Sequence, residues 1–174
     1  MTQLAAARTN PSIIMVVGVG GAGGNAVNHM WNLGIKGVDF IVCNTDQQAL
    51  DKSPVELKVR LGSEGLGAGN DPENGRKAAI ESLDVVRQRF EASGTKMVFI
   101  TAGMGGGTGT GASPVIAKLA KEMGMLTVGI VTSPLAVEGK IRYEQAFRGI
   151  EELRQNVDSL LIINNENILE IYGR

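Results

Sequence analysis

The sequence predicts an α/β fold with a doubly wound, mostly parallel sheet. Short apolar, β-branched runs alternate with helical patterns, and several runs are apolar nearly throughout, as expected of parallel strands covered on both faces. Three clusters of glycines, at 18–24, 62–69 and 103–111, follow predicted strands. Ligands of doubly wound sheets bind at the carboxyl ends of the strands, so the three clusters predict one common site.

The predicted elements follow one another in a regular order. Strands are expected at 13–19, 38–43, 55–61, 97–101, 126–131 and 160–163. Helices are expected at 22–33, 72–90, 112–123, 139–157 and 166–171. Asp71 is a natural N-cap with Pro72 at the first helical position, and Gly124 is a natural C-cap.

Composition limits the class of protein. The chain has 174 residues, a net charge of −1 and a single cysteine, which indicates one globular domain and gives no electrostatic case for a nucleic-acid partner. No apolar run reaches the roughly 18 residues of a membrane helix, and the N-terminus lacks an apolar core of signal-peptide length. We expect a disordered arm at 1–11, one domain at 12–174, a cytoplasmic location and no direct membrane insertion.

The most informative stretch is 102–111, in which six of ten residues are glycine and two are threonine. It lies between a predicted strand and a predicted helix, where a flexible linker is rarely found. Glycines allow positive φ angles and close backbone approach, so that amide N–H groups can converge on one point. The N-terminus of the following helix adds partial positive charge. The expected ligand is therefore a phosphate chain.

A dinucleotide site is the main alternative. Gly18, Gly20 and Gly23 match G-x-G-x-x-G in a strand–turn–helix setting, and Asp46 lies about 20 residues further on. Against this, Asp46 falls in a predicted turn beyond the second strand, and a dinucleotide needs no second glycine loop. The motif of the ordinary phosphate-loop NTPases, G-x-x-x-x-G-K-[ST], does not occur. Two phosphate loops favour a triphosphate held by backbone amides, without selecting guanine over adenine.

These motifs together resemble the tubulin/FtsZ family of GTPases, in particular its bacterial cell-division members. The run GGGTGTG at 105–111 is similar to the signature loop of the family. Further matches, in order and at nearly fixed spacing, are VGVGG at 17–21, NAVN at 25–28, NTD at 44–46, GLGAG at 65–69, VEG at 137–139 and ILEI at 168–171.

The resemblance implies how the phosphates are bound. Two glycine loops would cradle them, with hydroxyl donors from Thr108 and Thr110, and the loop at 67–69 would sense the γ-phosphate. Ala22 stands where glycine is common in the family, and its methyl group requires a negative φ. Residues 44–46 match a loop near the phosphates and Mg²⁺. The magnesium ion would be held through the phosphates rather than by direct protein ligation.

The resemblance also implies base and ribose contacts. Positions matching Asn25 and Asn165 contact guanine in the family, and those matching Glu138 and Arg142 hold the ribose side. By spacing alone, Glu138 and Arg142 would form a surface ion pair on one helical face. The implied nucleotide-binding residues are Gly20, Gly21, Ala22, Gly23, Gly24, Asn25, Asn44, Asp46, Ala68, Gly69, Gly103, Met104, Gly105, Gly106, Gly107, Thr108, Gly109, Thr110, Gly111, Glu138, Arg142 and Asn165.

The resemblance finally implies a function for residues 12–174 as a GTP-binding domain with GTP/GDP and Mg²⁺ as ligands. In the family, a central helix and a C-terminal domain follow this part, and an acidic loop of the neighbouring subunit completes GTP hydrolysis. No complete catalytic set is therefore expected in this chain. We expect weak nucleotide binding and no hydrolysis by the chain alone.

For the full-length protein we expect head-to-tail self-association, contacts with other division proteins and a place in the midcell ring. Two alternatives stay open, an NAD-dependent oxidoreductase of the Rossmann type and a non-catalytic regulator with the tubulin-type fold.

Overall fold

The computed structural model describes residues 13–165. The strands are β1 Ile14–Val19, β2 Asp39–Asn44, β3 Leu57–Arg60, β4 Met97–Gly103, β5 Leu126–Ser133 and β6 Ser159–Asn164. The helices are α1 Gly20–Asn32, α2 Gln47–Lys52, α3 Pro72–Glu81, α4 Leu83–Ser93, α5 Thr108–Glu122 and α6 Lys140–Arg154, with a 3₁₀ turn at Ala136–Glu138. All the strands predicted from the sequence are confirmed. The predicted arm at 1–11, the predicted helix at 166–171 and the ILEI match lie outside the described residues.

The described strands form one parallel sheet in the order β3-β2-β1-β4-β5-β6. This confirms the predicted doubly wound α/β fold. Strand β1 is central, and its residue Val17 is in register with Ile41 of β2 and Ile100 of β4. The strand order reverses between β1 and β4, so the topological switch point lies between these two strands.

The two faces of the sheet bury separate cores. Adjacent residues of β1, Met15 and Val16, belong to different cores, as the alternation of side chains along a strand requires. The smaller core, on the side of α1 and α2, contains Val16, Val27, Phe40, Val42, Leu50 and Val55. The larger core, on the side of α3 to α6, includes Met15, Ile41, Phe90, Ile100, Ile116 and Leu153. Packing on both faces explains why the strands are so uniformly apolar.

The helices on the smaller-core side do not cover every strand of the sheet. Helix α1 packs on β1, β2 and β4, and α2 packs on β2 and β3. Leu161 of β6 is 56% exposed, and its register partner Ile130 in β5 is half-buried. Apolar surface is therefore exposed along the edge of the sheet at β6.

Two helix predictions need correction, and one helix was missed. The helix expected at 72–90 is two helices, α3 and α4, which meet at Ser82. The Ser82 hydroxyl accepts a hydrogen bond from the Gly62 amide at 2.8 Å, a tertiary contact that the helical pattern does not reveal. The predicted helix at 112–123 begins instead at Thr108. The helix α2 was not predicted, and its N-cap is Asp46, whose carboxylate accepts from Gln48 N at 2.9 Å.

The predicted caps are confirmed. The carboxylate of Asp71 accepts a hydrogen bond from Glu73 N at 3.0 Å, and Pro72 is the first residue of α3. Gly124 follows the end of α5 with a φ of 81°, a conformation that favours glycine. Within residues 13–165, no helix is both long enough and apolar enough to cross a membrane.

Candidate functional site

The glycine clusters meet at the carboxyl edge of the sheet, as the sequence predicted. They surround a cavity of about 520 Å³. The predicted site residues that line it are Gly21, Ala22, Asn44, Asp46, Ala68, Gly69, Gly103, Met104, Gly106, Gly107, Thr108, Gly109, Glu138, Arg142 and Asn165. Further lining residues are Val19, Thr45, Ala49, Gly67, Asn70, Thr132, Ser133 and Pro134. The cavity lies at the switch point of the sheet, where doubly wound folds bind their ligands.

Two helices begin at this cavity. Helix α1 follows β1 and α5 follows β4, and these two strands are neighbours. Neither N-cap residue, Val19 or Gly107, makes a side-chain hydrogen bond to the first turn of its helix. The first-turn amides of both helices therefore have no side-chain cap to accept their hydrogen bonds. Two helix dipoles with their positive ends at one cavity favour an anion there.

The two glycine loops lie against each other. Gly20 has a φ of +75°, and a β-carbon placed on it would lie 2.9 Å from the Gly109 amide nitrogen. Ala22, by contrast, lies inside α1 with a negative φ, as its methyl group requires. The loop after β3 is equally close, because a β-carbon on Gly107 would lie 2.7 Å from that of Ala68. The wall of the cavity is therefore backbone at the points where these loops meet.

The end of β2 also contributes to the wall of the cavity. Asn44 and Thr45 are buried, and the Thr45 hydroxyl lies 2.6 Å from the Thr108 hydroxyl, at the start of α5. The Asn44 side-chain oxygen accepts a hydrogen bond from the Asp46 amide at 3.1 Å. The Asp46 carboxylate caps α2 while also lining the cavity. Thr45 is thus a site residue that was not among the implied nucleotide-binding residues, although the NTD match contained it.

Glu138 and Arg142 reach the cavity from different elements, which corrects the single helical face expected from their spacing. Glu138 ends the 3₁₀ turn, Gly139 follows with a φ of 102°, and Arg142 lies in α6. The Glu138 carboxylate accepts a hydrogen bond from Leu135 N at 2.6 Å, which fixes its position. In residues 13–165, Arg142 Nε is the buried side-chain nitrogen or oxygen that lacks a hydrogen-bond partner. A buried donor of this kind can donate a hydrogen bond to a ligand in the cavity.

The end of β5 and the residue after β6 complete the rim. Asn165 Nδ2 donates to the Ser133 carbonyl at 3.5 Å, a distance at the outer limit for a hydrogen bond. Thr132, Ser133 and Pro134 escaped prediction because nothing in their composition distinguishes them from an ordinary strand end. Only the position of β5 next to β4 reveals them.

Several predicted site residues do not line the cavity: Gly20, Gly23, Gly24, Asn25, Gly105, Thr110 and Gly111. Gly23 packs against Thr101 of β4, and Gly111 packs against Pro72 of α3. Asn25 is exposed on α1, and Thr110 is buried beneath the loop. Their contacts with a nucleotide stay predictions.

Few charged residues line the cavity. Asp46, Glu138 and Arg142 are the charged residues among those that line the cavity. Over the described range 13–165, no group of three or more histidine, cysteine, aspartate or glutamate side chains could hold a metal ion. The arrangement suits a ligand that brings its own negative charge to backbone amides and one guanidinium.

Comparisons with known proteins agree with this geometry. A cell division protein FtsZ from Porphyromonas gingivalis is 54% identical over 165 residues, which cover 93% of this chain and 36% of that protein. The fold matches an FtsZ dimer from M. jannaschii with a TM-score of 0.90 at 41% identity, over 96% of this chain and 49% of that one. It also matches CetZ2 from Haloferax volcanii, described as a GTPgS bound protofilament, with a TM-score of 0.79 at 28% identity, over 88% and 49%.

The chain thus spans about a third of the curated relative and about half of each solved chain. The family model of the GTPase domain matches residues 13–173, nearly the whole sequence. This chain therefore belongs to the Tubulin/FtsZ family, and it corresponds to the GTPase domain of that family.

Proposed function

We propose that this chain is the GTP-binding domain of a tubulin-like protein that polymerises into the bacterial cytokinetic ring. The observation that carries the proposal is the convergence of two helix N-termini on one cavity beside Arg142, whose Nε is buried without a partner. A nucleotide tail would take hydrogen bonds from the first-turn amides of α1 and α5, and its negative charge would face both positive helix ends.

Different residues around the cavity would bind the phosphates, the ribose and the base. The loops around Gly21 and Gly106 would hold the phosphates. Glu138 and Arg142 would hold the ribose side, and Asn165 would contact the base. The fixed Glu138 carboxylate can accept a hydrogen bond from a ribose hydroxyl, whereas the Arg142 guanidinium can only donate. The site residues that do not line the cavity would act by shaping these loops.

Magnesium fits the site as part of the ligand rather than as a protein-bound ion. The described residues provide no cluster of three metal-ligating side chains, but Asp46 lies at the cavity with its carboxylate held as a helix cap. A magnesium ion bound to the phosphates would neutralise part of their charge, and water molecules would complete its coordination. Asp46 would then face the hydrated ion.

Hydrolysis would require a second subunit. An acidic loop from the neighbouring subunit would enter the nucleotide site and position the attacking water, so the chain alone would bind nucleotide weakly without turnover. The relatives described as a dimer and as a protofilament support self-association. The full-length protein would associate head to tail and with other division proteins, in the cytoplasm at midcell.

Two alternatives remain testable. The strand order is the one typical of dinucleotide-binding folds, so the fold alone does not exclude an oxidoreductase. The family membership and the use of the Asp46 carboxylate as a helix cap both favour the GTPase. A non-catalytic regulator with the same fold would bind nucleotide without stimulation by an acidic-loop donor.

Calorimetric titration of the chain with GTP, GDP, ATP and NAD, each with Mg²⁺, tests the proposal. We expect binding of the two guanine nucleotides, and guanosine serves as the control because it lacks the phosphates. Binding of guanosine as tight as that of GDP would contradict the role of the two helix N-termini. Binding of NAD alone would overturn the proposal in favour of an oxidoreductase.

Hydrolysis is tested by phosphate release. We expect none from the pure chain with GTP and Mg²⁺, and turnover once a family member that carries the acidic loop is added. Steady phosphate release from the pure chain would contradict completion of the site by a neighbour. Tight guanine-nucleotide binding that never gains turnover would favour the regulator.

A further inference from the structure

Thr110 lies directly beneath the glycine loop rather than in the cavity. It is the third residue of α5 and is only 2% exposed. Its hydroxyl oxygen accepts a hydrogen bond from the Gly105 amide at 2.8 Å, in a buried environment. In a capping box, a side chain at the third helical position likewise accepts a hydrogen bond from a backbone amide at the start of the helix. Here the contact fixes the start of the loop, where Gly105 has a φ of +114°.

The methyl group of Thr110 has a second neighbour. Gly149 is buried in α6, and a β-carbon placed on it would collide with Thr110 Cγ2, lie 3.3 Å from the Thr110 carbonyl oxygen and lie 3.5 Å from Met104 Sδ. Glycine at 149 therefore leaves the space that the Thr110 methyl group occupies. Helix α6 rests against the underside of the loop at this point.

Helix α6 also contacts the glycine loop near the N-terminus of the helix. Arg142 lies about two helical turns before Gly149, and this spacing places both residues on the same side of α6. A β-carbon on Gly105 would lie 3.2 Å from the Arg142 carbonyl oxygen. The position of α6 thus sets both the floor of the glycine loop and the location of the Arg142 guanidinium.

We propose that Thr110 and Gly149 are positioning residues for the nucleotide site. The Thr110 hydroxyl holds Gly105, and its methyl group, seated on Gly149, sets the distance between α6 and the loop. The effect on nucleotide affinity rests on the proposed function, whereas the effect on the Gly105 amide does not. This role differs from the direct phosphate contact that the family resemblance implied for Thr110.

Two substitutions separate the hydroxyl from the methyl group. Thr110→Val keeps the shape and removes the acceptor, and we expect about tenfold faster exchange of the Gly105 amide and about tenfold weaker GDP binding, as for a buried amide without a partner. Thr110→Ser keeps the acceptor and removes the methyl group. We expect the Gly105 amide to exchange within about twofold of its rate in the unmodified chain, because the hydrogen bond is retained, and GDP affinity to fall about threefold, because a cavity replaces the methyl group that sets the distance to α6.

Crowding at Gly149 provides the second test. We expect Gly149→Ala to weaken GDP binding about tenfold, since an added methyl group in a packed core displaces its neighbours. Alanine is the better helix former, so a loss of helix propensity cannot explain this effect. The double variant Gly149→Ala with Thr110→Ser removes the colliding methyl group, and we expect it to recover the affinity of Thr110→Ser.

The experiment is hydrogen exchange of the ¹⁵N-labelled Gly105 amide by NMR, together with GDP titration, on the 174-residue chain and the four variants. Retained protection of the Gly105 amide in Thr110→Val would overturn the proposed hydroxyl contact. Failure of the double variant to recover would overturn the proposed role of Gly149. If the unmodified chain binds no nucleotide, the proposed function fails, and the amide measurements still decide the positioning role.

Discussion

The hydroxyl oxygens of Thr45 and Thr108 lie 2.6 Å apart, although the two residues are separated by 63 positions in the sequence. Thr45 follows β2 and Thr108 begins α5, so this hydrogen bond joins two walls of the cavity. The bond connects the segments that follow β2 and β4, the two strands that flank β1 in the sheet. It is the kind of contact that fixes the separation of two binding loops before a ligand arrives.

The contribution of this pair to stability can be measured by a double-mutant cycle. Thr45→Val and Thr108→Val should each lower the free energy of unfolding, with a coupling of about 1 kcal/mol because both remove the same hydrogen bond. Urea unfolding of the two single variants and the double variant provides the measurement. Strictly additive effects would show that the two hydroxyls do not interact.

Substitution of Arg142 should separate stability from binding. Its Nε is buried without a partner, so Arg142→Met removes an unpaired donor and should leave the free energy of unfolding equal or higher. Nucleotide affinity should fall about tenfold to a hundredfold, as expected when a charged hydrogen bond is lost. The exposed Arg148, on the same helix but outside the cavity, provides the control Arg148→Met. Equal GDP affinities of the two variants would refute a role for Arg142.

Two neighbouring glycines of α1 should respond oppositely to alanine. A β-carbon on Gly23 would collide with the Thr101 carbonyl of β4, whereas none of the atoms around Gly24 lies within 4 Å of such a carbon. We expect Gly23→Ala to cost about 2 kcal/mol of stability through overpacking, and Gly24→Ala to add up to about 1 kcal/mol through helix propensity. Thermal unfolding of both variants is the test. A similar melting temperature for the two would contradict the close packing of α1 on β4.

The buried Cys43 should make stability depend on pH in the alkaline range. Burial raises the pKa of the Cys43 thiol from 9.0 to about 12. Above pH 9 the unfolded chain loses this proton while the folded chain keeps it. The contribution is therefore fully present below pH 9 and declines by about 1.4 kcal/mol per pH unit towards pH 12.

Comparison with Cys43→Ala isolates the contribution of the thiol to the pH dependence of stability, because the titrations of lysine and tyrosine are common to both chains. Urea unfolding between pH 8 and pH 10.5 should show a steeper decline for the unmodified chain. Parallel stability curves would mean that the thiol ionises equally easily in the folded and unfolded states.

The main elements were predictable because their signals are local. Apolar runs such as Met97–Gly103 reveal strands, and Asp71 with Pro72 reveals the start of α3. The glycine loop at 103–111 indicated an anion site without any structure, since so many glycines after a strand have few other uses. The break at Ser82 was not predicted, and the hydrogen bond that its hydroxyl accepts from Gly62 is a tertiary contact that the local helical pattern does not reveal.

Prediction of the site was less complete than prediction of the fold. The site residues in glycine-rich stretches were predicted from the sequence. Ser133 and Pro134 were missed, because they line the cavity only as a result of the position of β5 next to β4. The spacing of Glu138 and Arg142 suggested one helix, whereas Gly139 separates a 3₁₀ turn from α6. Both side chains still reach the cavity, from separate elements.

The sequence by itself determined the α/β class, the order of the strands along the chain and the three glycine clusters, because these depend on side-chain periodicity and on backbone freedom at single residues. Only the tertiary structure decided which loops touch. Thr45 meets Thr108, and Gly149 meets Thr110, because the parallel sheet and the packing of α6 bring together residues that are distant in the chain. Such contacts depend on the register of strands and the depth of helix packing, which are properties of the whole assembled fold rather than of any one segment.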